Sequence, residues 1–210
     1  MKTISKALVL APHPDDAEFG AGGTLKKLIE KNVELFYIAF SPCTISVPKG
    51  FEKDILYKEL IDATAVLGIP KANIITFDFP VRNFPSKRQE ILDEMISLRS
   101  KIKPDLVLLP NSNDIHQDHQ VINEEGIRAF KHSKIIGYEL PWNNLKVTNN
   151  FHVKLEKSHI EAKANAIKAY KSQQFRQYSS DEFFHGLATV RGLQINTEYA
   201  ESFELIRWII

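Results

Sequence analysis

The chain alternates between short, unbroken apolar runs and longer stretches in which apolar residues recur every third or fourth position. The run Ala7-Leu8-Val9-Leu10-Ala11 is short and sharply bounded, and predicts a buried strand. Further strands are predicted at 34–40, 73–77, 106–109 and 134–139; the run 106–109 is apolar on both faces, as in the middle of a parallel sheet. The intervening stretches carry the helical period. One begins with Leu25-Lys26-Lys27-Leu28-Ile29. A second covers 52–67, with Ile55, Leu56, Leu60, Ala63 and Leu67 in a stripe and Gly68 and Pro70 placed to end it. A third follows Ser86 and Gln89, spaced as a capping box, turns Ile91, Met95, Ile96, Leu98 and Ile102 inward and stops before Pro104. A fourth runs to about Phe130.

Strand and helix alternate in this way through residue 139, which predicts an α/β fold with a mostly parallel sheet flanked by helices. Beyond a turn-rich segment at 141–144, the pattern predicts a strand at 151–155, helices at 158–172 and 181–193, and a last strand at 203–210. In the second-to-last helix Ile160, Ala164, Ile167 and Ala169 form an uneven inner face. This tail reads as a C-terminal elaboration of the sheet. Neither a repeat nor a low-complexity segment interrupts the chain, so one domain over 1–210 is expected.

Composition narrows the function classes. With 210 residues the chain has length for one well-buried domain, and its net charge of +1 gives no general attraction to nucleic acid or to anionic membranes. A single cysteine, Cys43, excludes an intrachain disulfide and reads as a small buried residue rather than a catalytic thiol. No apolar run approaches a membrane span, and the start of the chain lacks the pattern of a secretion signal. A cytoplasmic protein is expected, with no nucleic-acid or membrane partner and with homo-oligomerisation left open.

Candidate chemistry concentrates where strands give way to helices. After the first strand comes Pro12-His13-Pro14-Asp15-Asp16, then Gly20, Gly22 and Gly23. His13 and Asp16 are spaced so that a turn entering a helix aims both at one point, and an imidazole with a carboxylate suits a divalent ion of the zinc type. Asp15, pointing elsewhere, is left to handle protons. The two prolines stiffen the loop, and the glycines imply close approach of the backbone to a neighbouring strand or to a substrate. Capping of a strand and a helix would also use such residues, but needs only one carboxylate and no histidine.

A second cluster, His116-Gln117-Asp118-His119, leaves a buried strand from the same sheet edge, where open α/β sheets keep their ligands. His119 completes three protein ligands with His13 and Asp16, leaving coordination open as in a catalytic site. His116 is expected close to the ion but need not bind it, and Asp118 is placed to fix the tautomer of His116 and favour its charged form. A solvated polar loop would explain one such cluster. It does not explain two at equivalent positions. His132, His152, His159 and His185 lie apart and read as ordinary surface or core residues.

His13-Pro14-Asp15-Asp16 with its glycines, paired with His116-x-Asp118-His119, resembles the PIG-L/LmbE-like family of zinc-dependent N-acetylglucosaminyl deacetylases. A weaker likeness touches Arg191-Gly192 and Tyr199-Ala200-Glu201-x-Phe203. The resemblance implies a Rossmann-like fold and removal of an N-acetyl group from an amino sugar or its conjugate, with release of acetate. It implies Zn2+, or another divalent metal, on His13, Asp16 and His119, with Asp15 as general base. It further implies that His116 stabilises the oxyanion and that Asp118 orients His116. Many members carry an Arg-x-x-Glu pattern on the helix after the second strand; here Leu56 precedes Glu59, which reads as a surface or supporting residue. Arg82, in the loop after the third strand, is then a candidate substrate contact, a solvated arginine being the competing reading. Tyr138 and Trp142 are candidates for a sugar platform, packing being the alternative. Three further readings remain open: an amidase for a non-sugar amide, a metal-binding protein without catalysis, and a nucleotide-binding module using Gly20-Ala21-Gly22-Gly23. The last lacks the G-x-G-x-x-G spacing.

Overall fold

A computed structural model describes residues 3–210. Its frame is a seven-stranded sheet in the order β3-β2-β1-β4-β5-β7-β6. In chain order these are β1 (Lys6–Ala11), β2 (Glu34–Ala39), β3 (Ile74–Thr76), β4 (Leu106–Pro110), β5 (Lys134–Tyr138), β6 (Phe151–Leu155) and β7 (Tyr199–Arg207). The first five pair in parallel, with β1 held between β2 and β4; β7 runs antiparallel to both β5 and β6.

The helices are α1 (Asp16–Glu30), α2 (Ile55–Leu67), α3 (Arg88–Ile102), α4 (Gln117–Ala129), α5 (Lys157–Lys168) and α6 (Asp181–Leu193). Both faces of β1 are covered, which is why its run carries no polar residue. Ala7, Val9 and Ala11 face a core shared with Leu25 of α1, Leu60 of α2 and Ile167 of α5; Leu8 and Leu10 face the core built on Met95 of α3 and Ile122 of α4. The alternation follows from the two-residue period of a strand. Strand order reverses between β1 and β4, so the turns after them face one crevice at the sheet's carboxyl edge.

The three glycines of α1 face packing partners. A Cβ on Gly20 would stand 2.3 Å from the Tyr138 ring, one on Gly22 2.9 Å from Lys163, and one on Gly23 2.6 Å from Leu155. The close approach expected at these positions is to strands and helices, which leaves Gly20-Ala21-Gly22-Gly23 no surface on which to cradle a nucleotide. Glu201 of β7 adds to this packing: its carboxylate accepts from the Gly23 and Thr24 N–H groups at 3.0 and 2.7 Å and pairs with Lys163 at 2.8 Å. Arg191 pairs with Glu139 at 2.8 Å. Glu201 and Arg191 therefore fasten the C-terminal elaboration to α1, to α5 and to the residue that follows β5.

Other local expectations change. Ser86 does not cap α3; its hydroxyl donates to the backbone and side chain of Asn83, because a 3-10 turn over Phe84–Lys87 precedes the helix. Ile96 is exposed, since Ile91, Met95, Leu98 and Ile102 already complete the inward stripe of α3. Helix α5 ends at Lys168 and gives way to a 3-10 turn over Lys171–Gln173. The last strand begins at Tyr199, earlier than hydropathy predicts, because Glu201 and Ser202 are buried polar residues within it. Glu59 is buried rather than on the surface; its carboxylate accepts from the Ser172 N–H at 2.9 Å and the Ser172 hydroxyl at 2.5 Å, tying α2 to the segment after α5.

Candidate metal centre

The turn after β1 presents its residues through strained backbone. Asp15, at the N-cap of α1, has φ 87° and ψ −30° and makes no side-chain cap bond. For a non-glycine residue such a conformation costs on the order of 1–3 kcal/mol, which surrounding structure must offset. It sends the neighbouring carboxylates of Asp15 and Asp16 to different tasks. Asp16 is buried and turns back on its own turn, where one oxygen accepts from the His13 N–H at 2.9 Å.

That same oxygen, Asp16 Oδ2, lies 3.2 Å from His13 Nδ1 and 3.3 Å from His119 Nε2. His13 Nδ1 and His119 Nε2 are themselves 3.3 Å apart. For bonds of about 2.0–2.1 Å, the edge of a coordination tetrahedron is about 3.3–3.4 Å. The triangle therefore has the size of one face of a zinc-type tetrahedron.

The outer nitrogens decide what the inner ones offer. His13 Nε2 meets Asp118 Oδ2 at 2.9 Å, and His119 Nδ1 meets Asp114 Oδ2 at 2.8 Å. A carboxylate only accepts, so each imidazole donates outward and turns a lone pair inward. Three lone-pair atoms at this spacing repel one another unless a cation sits among them. Although burial opposes a charge on His119, the Asp16 carboxylate and the bonds to Asp114 and Asp16 override it and lift the pKa to about 10. His13 moves the same way: burial lowers it, but the bonds to Asp118 and Asp16 raise it. Burial would raise Asp16, yet the charge on His119 and the bonds to both histidines hold it far below the usual carboxylate range. In the absence of metal a proton takes the central position. The donor set fits a divalent ion.

His116 stands differently. With His13 and His119 it could also offer a ring nitrogen to a metal, all within 4.8 Å. Its Nδ1, however, accepts from the Asp118 N–H at 3.1 Å as the N-cap of α4. That bond leaves the proton of a neutral ring on Nε2, a donor rather than a ligand atom. Burial, and then the charges on His119 and His13, push its pKa down to about 4.

The expected partnership of Asp118 with His116 is thus corrected. The Asp118 side chain serves His13 and accepts from the Arg82 and Phe84 N–H groups at 2.6 and 3.2 Å; only its backbone reaches His116. A charged His116 is corrected with it, since no carboxylate bond supports the charge. Asp114, assigned no role in the sequence, does for His119 what Asp118 does for His13. It also accepts from the His116 N–H at 2.8 Å. The signal was its place two residues before His116, where an aspartate bonds forward to a backbone N–H.

His13, Asp16, His116 and His119 form the floor of a cavity of about 250 Å³. Asp15 faces it, its pKa raised by burial and then by the neighbouring Asp16 charge, with Arg176 and His119 pulling the other way. Arg82 lines its rim, with φ 65°, and is exposed. Trp142 lines it too, stacked on Tyr178 with centroids 3.8 Å apart and planes 10° apart. Tyr138 does not. It is fully buried against Gly20 and its hydroxyl donates to Leu10 O at 3.0 Å, so it is core and no sugar platform. Tyr178, Arg176 and Gln173 come from the C-terminal elaboration, which the sequence patterns did not connect to the site. His132, His152, His159 and His185 lie outside the cavity, as expected.

The chain matches known proteins in sequence and in fold. The profile of the PIG-L family, described as GlcNAc-PI de-N-acetylase, matches residues 8–130. A diacetylchitobiose deacetylase of Thermococcus kodakarensis is 28% identical over 134 residues, 60% of this chain and 49% of that enzyme, so the match spans about half the relative's length. The structure of the N,N'-diacetylchitobiose deacetylase of Pyrococcus horikoshii superposes with a TM-score of 0.79 at 24% identity, covering 96% of this chain and 83% of that one. A 4-carboxy-2-hydroxymuconate hydratase of Pseudomonas putida superposes with a TM-score of 0.81 at 17% identity over 99% and 98% of the two chains. Likeness at that level shows the shared fold alone.

Proposed function

Because the chain belongs to the PIG-L family, matched over residues 8–130, we propose that it is a metal-dependent N-deacetylase that removes the acetyl group of an N-acetylglucosamine-type amino sugar or conjugate. The observation that carries this reading is the triangle of His13 Nδ1, Asp16 Oδ2 and His119 Nε2, with an uncommitted carboxylate and an imidazole donor beside it. His13, Asp16 and His119 would hold zinc or a similar divalent ion. When bound, such an ion supplies Lewis acidity, polarising an amide carbonyl and lowering the pKa of water from 15.7 towards 7.

The chain's own groups supply the rest. Asp15 takes a proton from the attacking water and returns it to the leaving amine; burial and the Asp16 charge raise its affinity for that proton above that of an ordinary carboxylate. His116 Nε2–H donates to the oxygen on which charge develops, as a neutral imidazole fixed by its N-cap bond. Asp114 and Asp118 hold His119 and His13 in the required tautomers. Arg82 contacts substrate hydroxyls at the rim. The whole chain acts as one domain in this reading, in the cytoplasm, without nucleic-acid or membrane partners; no helix among the described residues is long and apolar enough to cross a membrane.

The test is acetate release by the zinc-loaded protein from methyl N-acetylglucosaminide, N,N'-diacetylchitobiose and simple N-alkyl acetamides. Release from the sugars, lost in Asp15→Ala, is expected. Turnover of the acetamides alone would move the assignment to a non-sugar amidase, and undiminished activity in Asp15→Ala would end the mechanism.

A further inference from the structure

Part of the cavity wall comes from Gln173, Arg176 and Tyr178, outside the 8–130 stretch that the family profile matches. It carries a guanidinium that is held by neutral groups and forms no ion pair among the described residues. Arg176 Nε donates to Gln173 Oε1 at 2.7 Å, and one terminal nitrogen donates to the Tyr178 hydroxyl. Its guanidinium carbon lies 5.5 Å from the Tyr178 ring centroid, and that ring is stacked on Trp142.

The support runs deeper. Gln173 is buried, its amide donates to the Ser172 hydroxyl at 3.0 Å, and Ser172 is in turn fixed to Glu59 of α2. Glu59, Ser172 and Gln173 thus form a relay from the helix layer to a charge on the cavity wall. Every hydrogen-bond partner of that charge is neutral, and the carboxylate on which it acts through space is Asp15, which faces the same cavity. Arg88, Arg128 and Arg191 each pair with a carboxylate, whereas among the described residues Arg176 makes no ion pair. Arg82 lines the same cavity. A guanidinium offers five donors in a planar fork suited to carboxylate and phosphate, and only two of these are engaged here.

We propose that Arg176, presented by the Glu59–Ser172–Gln173 relay, recognises an anionic group on the substrate, so that this site takes amino-sugar conjugates carrying a carboxylate or a phosphate in preference to neutral glycosides. The proposal rests on the amino-sugar reading above and adds the charge of the substrate to it. Pre-organisation is what makes it effective: a free surface arginine would lose rotamer entropy on binding, while this one is already ordered.

Deacetylated products are not turned over, so the zinc-loaded enzyme can be titrated with them by calorimetry. The probes are carboxymethyl glucosaminide, glucosamine 6-phosphate and methyl glucosaminide. Wild type is expected to bind at least one of the two anionic sugars tenfold or more tightly than the methyl glycoside, and which one identifies the anion. The preference is expected to disappear in Arg176→Met, to survive in part in Arg176→Lys, and to shrink as salt is raised. Should Arg176→Met fail to fold, the lysine variant and the salt series decide the matter. Binding of all three sugars without preference, or a preference untouched in the variants and by salt, would overturn the role of Arg176 while leaving the deacetylase reading intact. Binding of none of them would overturn the amino-sugar reading and this proposal with it.

Discussion

Replacing Asp118 by asparagine separates the two partnerships that could be drawn for that residue. Its carboxylate is fully buried and accepts from three donors: His13 Nε2–H at 2.9 Å, the Arg82 N–H at 2.6 Å and the Phe84 N–H at 3.2 Å. An asparagine offers those three donors a single carbonyl oxygen and turns an NH2 group towards the others. At least one buried N–H is then left unsatisfied, at about 1–3 kcal/mol. For a domain of this size that is a fall in Tm of roughly 2–12 °C, at about 2–4 °C per kcal/mol. His13 also loses the carboxylate that fixes its tautomer, and such supporting groups are typically worth about 10–100-fold in metal affinity. Chelator competition should therefore show zinc held 10–100-fold more weakly, about 1.4–2.7 kcal/mol, and the Tm gained on adding zinc should shrink accordingly. If Asp118 served His116 instead, the variant would keep zinc and lose only turnover. Zinc affinity within about threefold of wild type in a folded Asp118→Asn protein would refute the reasoning.

Three further outcomes follow from the same geometry. Asp16→Asn should abolish tight zinc binding, whereas His116→Gln should keep it and lower kcat by roughly 10²–10³-fold, as for loss of one oxyanion donor; zinc lost in His116→Gln and kept in Asp16→Asn would make the three histidines the ligands. The metal-free protein should lose stability as pH rises. His119 is raised from 6.5 to about 10 in the fold, so its contribution is complete below pH 6.5 and lost on the way to 10; Glu18, raised from 4.5 to about 7 mainly by burial, loses its own between those values. Zinc displaces the His119 proton, so the thermal shift on adding zinc should grow over the same upper range, and melts with and without zinc from pH 6 to 10 would expose a flat or reversed trend. Gly20→Ala should destabilise by about 1–3 kcal/mol through overpacking, because its Cβ would stand 2.3 Å from the buried Tyr138 ring; an unchanged denaturant midpoint would contradict that packing.

What hydropathy made legible was the frame and the place of the site. Runs such as 7–11 and 106–109 must be strands covered on both faces, and strands of that kind, joined by helices, leave their following turns on one edge. The roles of Asp114 and Asp118 were not legible to the same degree. Both lie in the cluster after β4, and which imidazole each carboxylate meets depends on the crossing of two turns 100 residues apart in the chain. His13 takes Asp118 across that gap, with a sequence separation of 105, while His116 spends its Nδ1 on the backbone of its own helix. The glycines of α1 show the same limit. Their number signals close approach, but only the packed partners, Tyr138, Lys163 and Leu155, show that the approach is to protein rather than to a ligand.

The cavity also divides by origin, and the division bears on how such a site can change. Its floor is built by the turns after β1 and β4, within 8–130, where carboxylates lock imidazoles and the backbone at Asp15 is strained. Small displacements there act on the chemistry directly, since the three donor atoms leave little slack around an ion. Its wall is built by 142 and 173–178, anchored through Ser172 to Glu59 and through the Tyr170 hydroxyl, which donates to Glu18 at 2.9 Å. Both anchors sit on α1 and α2, which also bring Asp16 and Leu56 to the cavity, so the wall is held in register with the reacting centre. A sequence can then keep bond cleavage and exchange what is recognised by altering Arg176, Tyr178 or Trp142 alone. The hydratase with the same fold shows that the scaffold does not dictate the chemistry. What restricts this chain is the agreement of its inner triangle with the edge of a metal tetrahedron, and any residue that widens that triangle acts on the proposed activity before it acts on the fold.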